Sequence, residues 1–166
     1  MPTLQQKLQF LHRLCGPGDE VIETHFAWVF LIGRNAFKLR KPVRRDTMDY
    51  STLEARRLDS EQEVRLNRRL APQIYLGTVP LTTGPDGALE LGGDGEVVEW
   101  LVKMLRLDRD LLLDSMLARG ADLGDGLQRI SRLLAHFYRG SPPALRDAAD
   151  LAARLTAQVE ANRQVL

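Results

Sequence analysis

The order of strand-like and helical segments predicts an α+β protein in which a sheet half is followed by a helical half. Three short strand-like segments come early, one long helical segment follows them, and further strand-like segments precede a C-terminal stretch that is helical throughout. Short loops between consecutive strands favour antiparallel pairing. The predicted boundary gives a sheet domain over 1–108 and a helical segment over 109–166.

Local signals in the N-terminal part predict a short helix and a three-stranded meander. Thr3 and Gln6 have the spacing of a capping box, leucines recur at helical intervals up to Leu14, and Gly16 follows them. The sequence Gly33-Arg34-Asn35 is typical of a turn between two strands. The predicted strands are 21–24, 28–32 and 36–40.

A second capping box, Ser51 with Glu54, predicts the start of the long helix, which can continue to Leu70 before Pro72 ends it. Glycine-rich turns separate the strand-like segments that follow it. Those segments are 75–81, 88–91 and 97–105. The predicted helices are 111–119, 127–138 and 144 to the end, with Pro142 and Pro143 between the last two.

Composition and charge exclude several classes of protein. The chain has 166 residues, 44% of them hydrophobic, which is enough to bury a core. Its 23 basic residues nearly balance 22 acidic ones, so there is no global attraction to nucleic acid or to an anionic membrane. Cys15 is the single cysteine and cannot form an internal disulfide. Without a membrane-length apolar run or a secretory signal, we expect a cytoplasmic protein that needs no metal to fold.

Lys38 is the first candidate for chemistry. Lysine is scarce here, with four lysines against 19 arginines, and strand alternation puts Lys38 on the face opposite Phe37 and Leu39. On the long helix, Glu63 falls on the same stripe as Leu66, where an unpaired carboxylate would be costly. The alternatives are a solvated lysine and a glutamate paired within its own helix. A strand lysine with a glutamate on the next helix is how kinase-type folds hold the α- and β-phosphates of ATP.

Four ordered blocks of sequence carry a family resemblance. The blocks are IETHFAWVFL at 22–31, AFKLRKPV at 36–43, STLE at 51–54 and EVRLNRRLAP at 63–72. They resemble the N-terminal part of a bacterial family related to aminoglycoside phosphotransferases, many of whose members continue into a P-loop ATPase or kinase domain. The resemblance implies a protein-kinase-like N-terminal lobe, an antiparallel sheet with one long packed helix, followed by a partial helical C-terminal lobe.

The resemblance also implies a nucleotide site that binds ATP, with Mg²⁺ in a full-length family member. Lys38 would bind phosphate with Glu63 as its partner, the loop after the first strand would cover the phosphates, and backbone groups of the last strand would hold adenine. The implied residues are Lys38, Glu63, Thr24, His25, Met104, Leu105 and Arg106. The acceptor would be a small molecule that the sequence does not identify.

The chain departs from the family pattern chiefly by an absence. Phosphotransfer of this kind uses an aspartate in a catalytic loop and a later aspartate that holds Mg²⁺, and neither motif occurs before Leu166. Asp108 and Asp110 have the position of a solvated helix start rather than of a metal site. We therefore expect no catalytic or metal-ligating residue in this chain, and no phosphotransfer by it alone.

Two other functions compete with this one. The first is a kinase-like interaction or regulatory module that keeps the fold without the chemistry. The second is nucleic-acid binding through five basic residues between Lys38 and Arg45 and others on the long helix, although acidic neighbours and a shortage of aromatic residues make it less favoured. Self-association is expected if the face where a second lobe would dock is exposed.

Overall fold

The computed structural model describes residues 1–45, 48–141 and 147–163. The described residues form helices and antiparallel strands, which confirms the α+β class. The chain divides into two compact units, Met1–Arg119 and Gly120–Leu166. The boundary predicted after Asp108 therefore falls inside the first unit.

The first unit contains the whole sheet. Its helices are α1 (Leu4–Arg13), α2 (Leu53–Asn67) and α3 (Leu113–Ala118), with a 3₁₀ turn at Arg109–Leu111 before α3. Its strands are β1 (Glu20–Glu23), β2 (Ala27–Ile32), β3 (Asn35–Arg40), β4 (Arg44–Arg45), β5 (Met48–Asp49), β6 (Tyr75–Thr83), β7 (Leu89–Leu91) and β8 (Glu96–Leu105).

Six of these strands form one antiparallel sheet in the order β1-β2-β3-β8-β6-β7, and β4 pairs with β5 separately. The meander β1-β2-β3 is the one that the sequence predicts, because its connections are too short for anything but antiparallel neighbours. Strand β8, from the far end of the first unit, enters between β3 and β6. Lys38 on β3 thus lies next to β8, which is the last strand along the chain but is central in the sheet.

The hydrophobic core lies on the sheet face that α1 covers. Leu11 of α1 is fully buried, together with Phe30, Leu39 and Leu101 from three neighbouring strands. The predicted capping box at the start of α1 is present, with the Thr3 side chain accepting from the backbone N–H of Gln6. Residues such as Lys38, which alternate with this core face along β3, point to the other side of the sheet.

Helix α2 differs at both ends from its prediction. Its N-cap is Thr52, whose Oγ1 accepts from the backbone N–H of Ala55 at 3.1 Å, and not Ser51, whose hydroxyl donates to Asp49 instead. The helix ends at Asn67, three residues before the predicted Leu70. Hydrogen-bonded turns follow Asn67, and Leu70 lies in these turns and not in the helix. The helical spacing of leucines in the sequence therefore extends past the end of α2.

The buried stripe of α2 also differs from the prediction. It consists of Arg56, Ser60 and Val64, whereas Leu66 and Leu70 are 42% and 39% exposed. The leucine stripe was wrong as a marker of the sheet-facing side, because that side carries Arg56, whose charge is paired inside the protein, together with Ser60 and Val64. Glu63 faces inward as predicted, since it follows Arg56 by seven residues on the same side of the helix and its side chain is 11% exposed.

The second unit contains helices α4 (Gly124–Gly140) and α5 (Ala148–Arg163). The predicted helix 127–138 lies within α4, and the predicted break at Pro142 and Pro143 and helix start at 144 lie outside the described residues. Three apolar side chains of α4, Leu127, Ile130 and Leu133, are each about half exposed. Across the described ranges, no helix combines the length and the apolar character needed to cross a membrane.

Candidate functional site

The predicted ion pair between Lys38 and Glu63 is present. Lys38 Nζ donates to both carboxylate oxygens of Glu63, at 2.9 and 3.0 Å. The two side chains are 23% and 11% exposed, so the pair is largely shielded yet open at the lysine. A lysine of the third strand is thereby held by a glutamate of the following helix, and its ammonium keeps one N–H beyond the two that Glu63 accepts.

Arg40 is a second cation at Glu63, and the sequence reasoning did not find it. Its Nη2 lies 2.5 Å from Glu63 Oε2 and 2.5 Å from Asp59 Oδ2, and its guanidinium lies over the ring of Tyr50. Alternation along β3 puts Arg40 on the face of Lys38, which was the available signal. The result is a cluster of two cations and two carboxylates, whose charges balance.

Two tyrosines border this cluster, and their hydroxyls are shifted toward the neutral form. Burial raises the pKa of Tyr50, and the negative charge of Asp59 raises it further. Burial likewise raises the pKa of Tyr75, with the charge of Glu63 as the second cause. Both hydroxyls therefore stay protonated through the physiological range and add no negative charge beside Lys38.

An apolar strip of sheet extends from Lys38 toward the end of β8. Lys38 lies opposite Val29 and Val102, and Ala36 lies opposite Leu31 and Met104. Residues directly opposite each other on antiparallel strands share a face, so this strip and the Lys38 ammonium lie on the same side of the sheet. A flat apolar group that rested on the strip would have a cation at one end.

A cavity of about 530 Å³ lies at the other end of the strip. Its lining includes Leu31 of β2, Leu105 at the end of β8, and Leu107 and Asp108, which follow that strand. Leu31 is opposite Ala36, two residues along β3 from Lys38, which is about 7 Å along a strand. The volume of the cavity falls in the range of small-molecule sites.

The predicted phosphate cover, the loop with Thr24 and His25, is a tight turn. Thr24 Oγ1 donates to the carbonyl of Ala27 and accepts from its N–H, both at 3.0 Å, so the Thr24 side chain closes the turn itself. His25 at its tip is exposed and its ring lies beside Phe26. Among the described residues, no hydrogen bond uses the backbone N–H of His25 or Phe26. Those two groups are the part of the turn that can donate to an anion.

The predicted adenine contacts at Met104, Leu105 and Arg106 are only partly accessible. The N–H of Leu105 donates to Ile74 at 2.8 Å and that of Arg106 donates to Arg34 at 2.9 Å, so both are already used inside the protein. Met104 lies within the sheet between two strands. The backbone of Leu107, in contrast, makes no hydrogen bond among the described residues, and Leu107 lines the cavity.

The aspartates after β8 are structural. Asp108 caps the 3₁₀ turn by accepting from the N–H of Asp110 at 2.9 Å, and Asp110 pairs with Arg119. No group of three or more acidic, histidine or cysteine side chains in the described part of the chain is arranged to hold a metal ion.

The basic cluster considered for nucleic acid is largely paired with acids. Lys38 and Arg40 bind Glu63, Lys41 binds Glu23, and Arg44 binds Asp49. Arg57 of α2 is bound by two glutamates of its own helix, Glu54 and Glu61, so its positive charge is neutralised locally. This pairing reduces the positive charge that the cluster could offer to nucleic-acid phosphates.

Sequence comparison finds uncharacterized mycobacterial proteins. One from Mycobacterium bovis and two from strains of Mycobacterium tuberculosis are each 38% identical over 123 residues, which cover 74% of this chain. The same alignment spans 23% of the length of each relative, so the chain matches about a quarter of those proteins. No family model and no solved structure matches the chain.

Proposed function

We propose that this chain is the nucleotide-binding lobe of a kinase-like phosphotransferase related to the aminoglycoside phosphotransferases. The observation that carries the proposal is the Lys38–Glu63 pair, formed by a lysine of the third strand and a glutamate of the next helix. Protein kinases use the same two positions to orient the α- and β-phosphates of ATP. The apolar strip and the cavity beyond it supply an adjoining place for a base on the same sheet face.

The residues present fit ATP with one change from the expected set. Lys38 would donate its remaining N–H to phosphate oxygens while Glu63 fixes its direction. The backbone N–H groups of His25 and Phe26 would donate from the β1–β2 turn. At the base, Leu107 replaces Leu105 and Arg106 as the backbone donor, because the N–H groups of those two residues are engaged in the sheet.

Titration of ATP and Mg²⁺ into the wild-type chain and Lys38→Met tests the proposal. A hydrogen bond to a charged group contributes about 1.5 to 3 kcal/mol, so the substitution should weaken binding about tenfold or more. Lys103→Met is the matched control, because Lys103 lies on the neighbouring strand opposite Phe37, on the other face of the sheet. It should bind as the wild type does. Equal affinities for Lys38→Met and the wild type would contradict the nucleotide site.

Catalysis in this scheme needs residues that this chain does not supply, namely a catalytic-loop aspartate and a Mg²⁺-binding aspartate. The mycobacterial relatives extend far beyond the matched quarter, which is compatible with a lobe that works as part of a longer protein. The acceptor, the phosphotransfer step and the assignment of the chain to a kinase-like lobe all belong to the proposal.

A second candidate is an interaction module that has kept the lobe without nucleotide chemistry. The half-exposed apolar side chains of α4 favour it, because large exposed apolar patches commonly mark interaction surfaces. The engagement of the Leu105 and Arg106 N–H groups is also compatible with it. Absence of ATP binding by the wild-type chain, with α4 mediating association, would favour this candidate over the first.

A further inference from the structure

We propose that a buried ion cluster, formed by Lys7, Arg56 and Glu99 and called here the Glu99 cluster, positions α2 and so holds Glu63 against Lys38. The three residues come from α1, α2 and β8, and none of them belongs to the nucleotide site described above. Their role would be to position another residue and not to touch a ligand.

Glu99 is the centre of the cluster. Its side chain is fully enclosed, and both of its carboxylate oxygens are bound by Arg56, through Nε at 2.8 Å and Nη2 at 2.9 Å. Lys7 Nζ donates to the same carboxylate at 2.9 Å and to the carbonyl of Val98 at 2.6 Å. A two-pronged arginine–carboxylate contact fixes both distance and orientation, so it is more restrictive than a single bond.

The cluster also fixes the start of α2. Arg56 lies in the first turn of that helix, and its Nη1 donates to the carbonyls of Tyr50 and Ser51 at 2.8 and 3.1 Å. One guanidinium therefore joins the sheet to the chain that leads into α2. Glu63 follows Arg56 by seven residues on the same inward side, which is about 10 Å along the helix axis.

The charges of the cluster make its geometry sensitive to any one member. Lys7 and Arg56 are two cations on one carboxylate, and they are 9% and 6% exposed. A buried charge is tolerated only when it is paired, so neutralising Glu99 would leave two enclosed cations facing each other. Removing Lys7 instead keeps Arg56 on the carboxylate but removes the bond that anchors that carboxylate from α1, so that Glu99 and Arg56 can move together. Either change should let the first turn of α2 shift, and Glu63 with it.

The test measures the Lys38–Glu63 interaction without nucleotide. A double-mutant cycle of Lys38→Met and Glu63→Gln, followed by urea unfolding of the whole chain, gives the interaction energy of the pair. The same cycle in Glu99→Gln and Lys7→Met backgrounds should give less than about half of the wild-type interaction. Lys7→Arg, which keeps a cation, should preserve it. Glu90→Gln, on exposed β7, is the matched control and should also preserve it.

These results separate positioning from general stability. A merely structural cluster would lower overall stability while leaving the Lys38–Glu63 interaction unchanged, and that result would overturn the proposal. If Glu99→Gln does not fold, the comparison of Lys7→Met with Lys7→Arg decides alone. Equal interaction energies in those two backgrounds would be evidence against positioning by α1.

A second arm of the test, which rests on the proposed nucleotide site, titrates ATP and Mg²⁺ into Lys7→Met. Affinity should fall severalfold relative to Lys7→Arg. If the wild-type chain binds no nucleotide but the interaction energy still falls in Lys7→Met, then the proposed function fails and the positioning role stands. If nucleotide binds equally well to both variants and the interaction energy is unchanged, the positioning role fails alone.

Discussion

Glu63 binds two cations, Lys38 and Arg40. This arrangement affects the electrostatic potential that Lys38 presents to a ligand. A carboxylate bound only to Lys38 would neutralise it fully, but Arg40 binds the same carboxylate and Asp59 in turn binds Arg40. The positive charge of Arg40 therefore offsets part of the negative potential that Glu63 produces at Lys38. A cluster that is neutral overall can still present a cation at its open end, which is what an anionic ligand requires.

Asp19 shows how a single side chain can hold together two loops at the edge of the sheet. It accepts from the backbone N–H of Gly16 at 2.9 Å and of Gly33 at 2.8 Å, and these bonds hold its pKa below the ordinary value, with Arg106 adding to the effect. A lowered carboxyl pKa stabilises the folded state above the unfolded pKa, and the contribution is lost as the pH falls through the folded one.

We therefore expect Asp19→Asn to lower the melting temperature at neutral pH, with a difference from wild type that shrinks in acid. The difference should be full above about pH 5 and should shrink as the pH falls through the lowered pKa of folded Asp19, because the protonated side chain resembles asparagine. Thermal unfolding across this acid range measures it. Asp94→Asn, in an exposed turn, is the control and should show no such trend. A difference that does not depend on pH would contradict this account.

At the scale of elements, the N-cap of α2 gives a direct comparison of two neighbouring hydroxyls. Thr52 caps the helix and Ser51 does not, so Thr52→Ala should lower the free energy of unfolding by about 1 kcal/mol. Ser51→Ala should cost less than about 0.5 kcal/mol, as expected for an exposed residue outside the cap. Urea unfolding of both variants measures the two costs. A larger cost for Ser51→Ala would place the cap where the sequence predicts it.

Elements set by local signals could be predicted, and those set by distant partners could not. The meander around Lys38 follows from alternation and short turns, and the pairing of Lys38 with Glu63 follows from their facing positions. The buried side of α2 does not follow from hydrophobicity, because the charge of Arg56 is balanced by Glu99, 43 residues away. On sequence alone such a charge is indistinguishable from a solvated one. The unused backbone of Leu107 could not be predicted for the same reason, since hydrogen bonds to distant segments decide which backbone groups near the end of β8 remain free.

At the scale of the whole molecule, the candidate site belongs entirely to the first unit. The strip beside Lys38, the cavity and the β1–β2 turn all lie within Met1–Arg119. The sheet that supports them packs on its other face against α1, where the largest buried apolar side chains lie. The strip and the cavity are therefore supported by a sheet whose main core lies on the opposite face.

Helix α4 of the second unit carries exposed apolar side chains, and this leads to a prediction about association. Leu127, Ile130 and Leu133 recur at helical spacing on α4, and each is about half exposed. Because monomeric proteins seldom expose a large contiguous apolar patch, we expect the 166-residue chain to self-associate as its concentration rises. The double variant Ile130→Ser with Leu133→Ser should shift sedimentation toward the monomer, whereas Arg132→Ser, an exposed polar neighbour, should sediment as the wild type does. A double variant that associates as strongly as the wild type would mean that α4 is not the surface responsible.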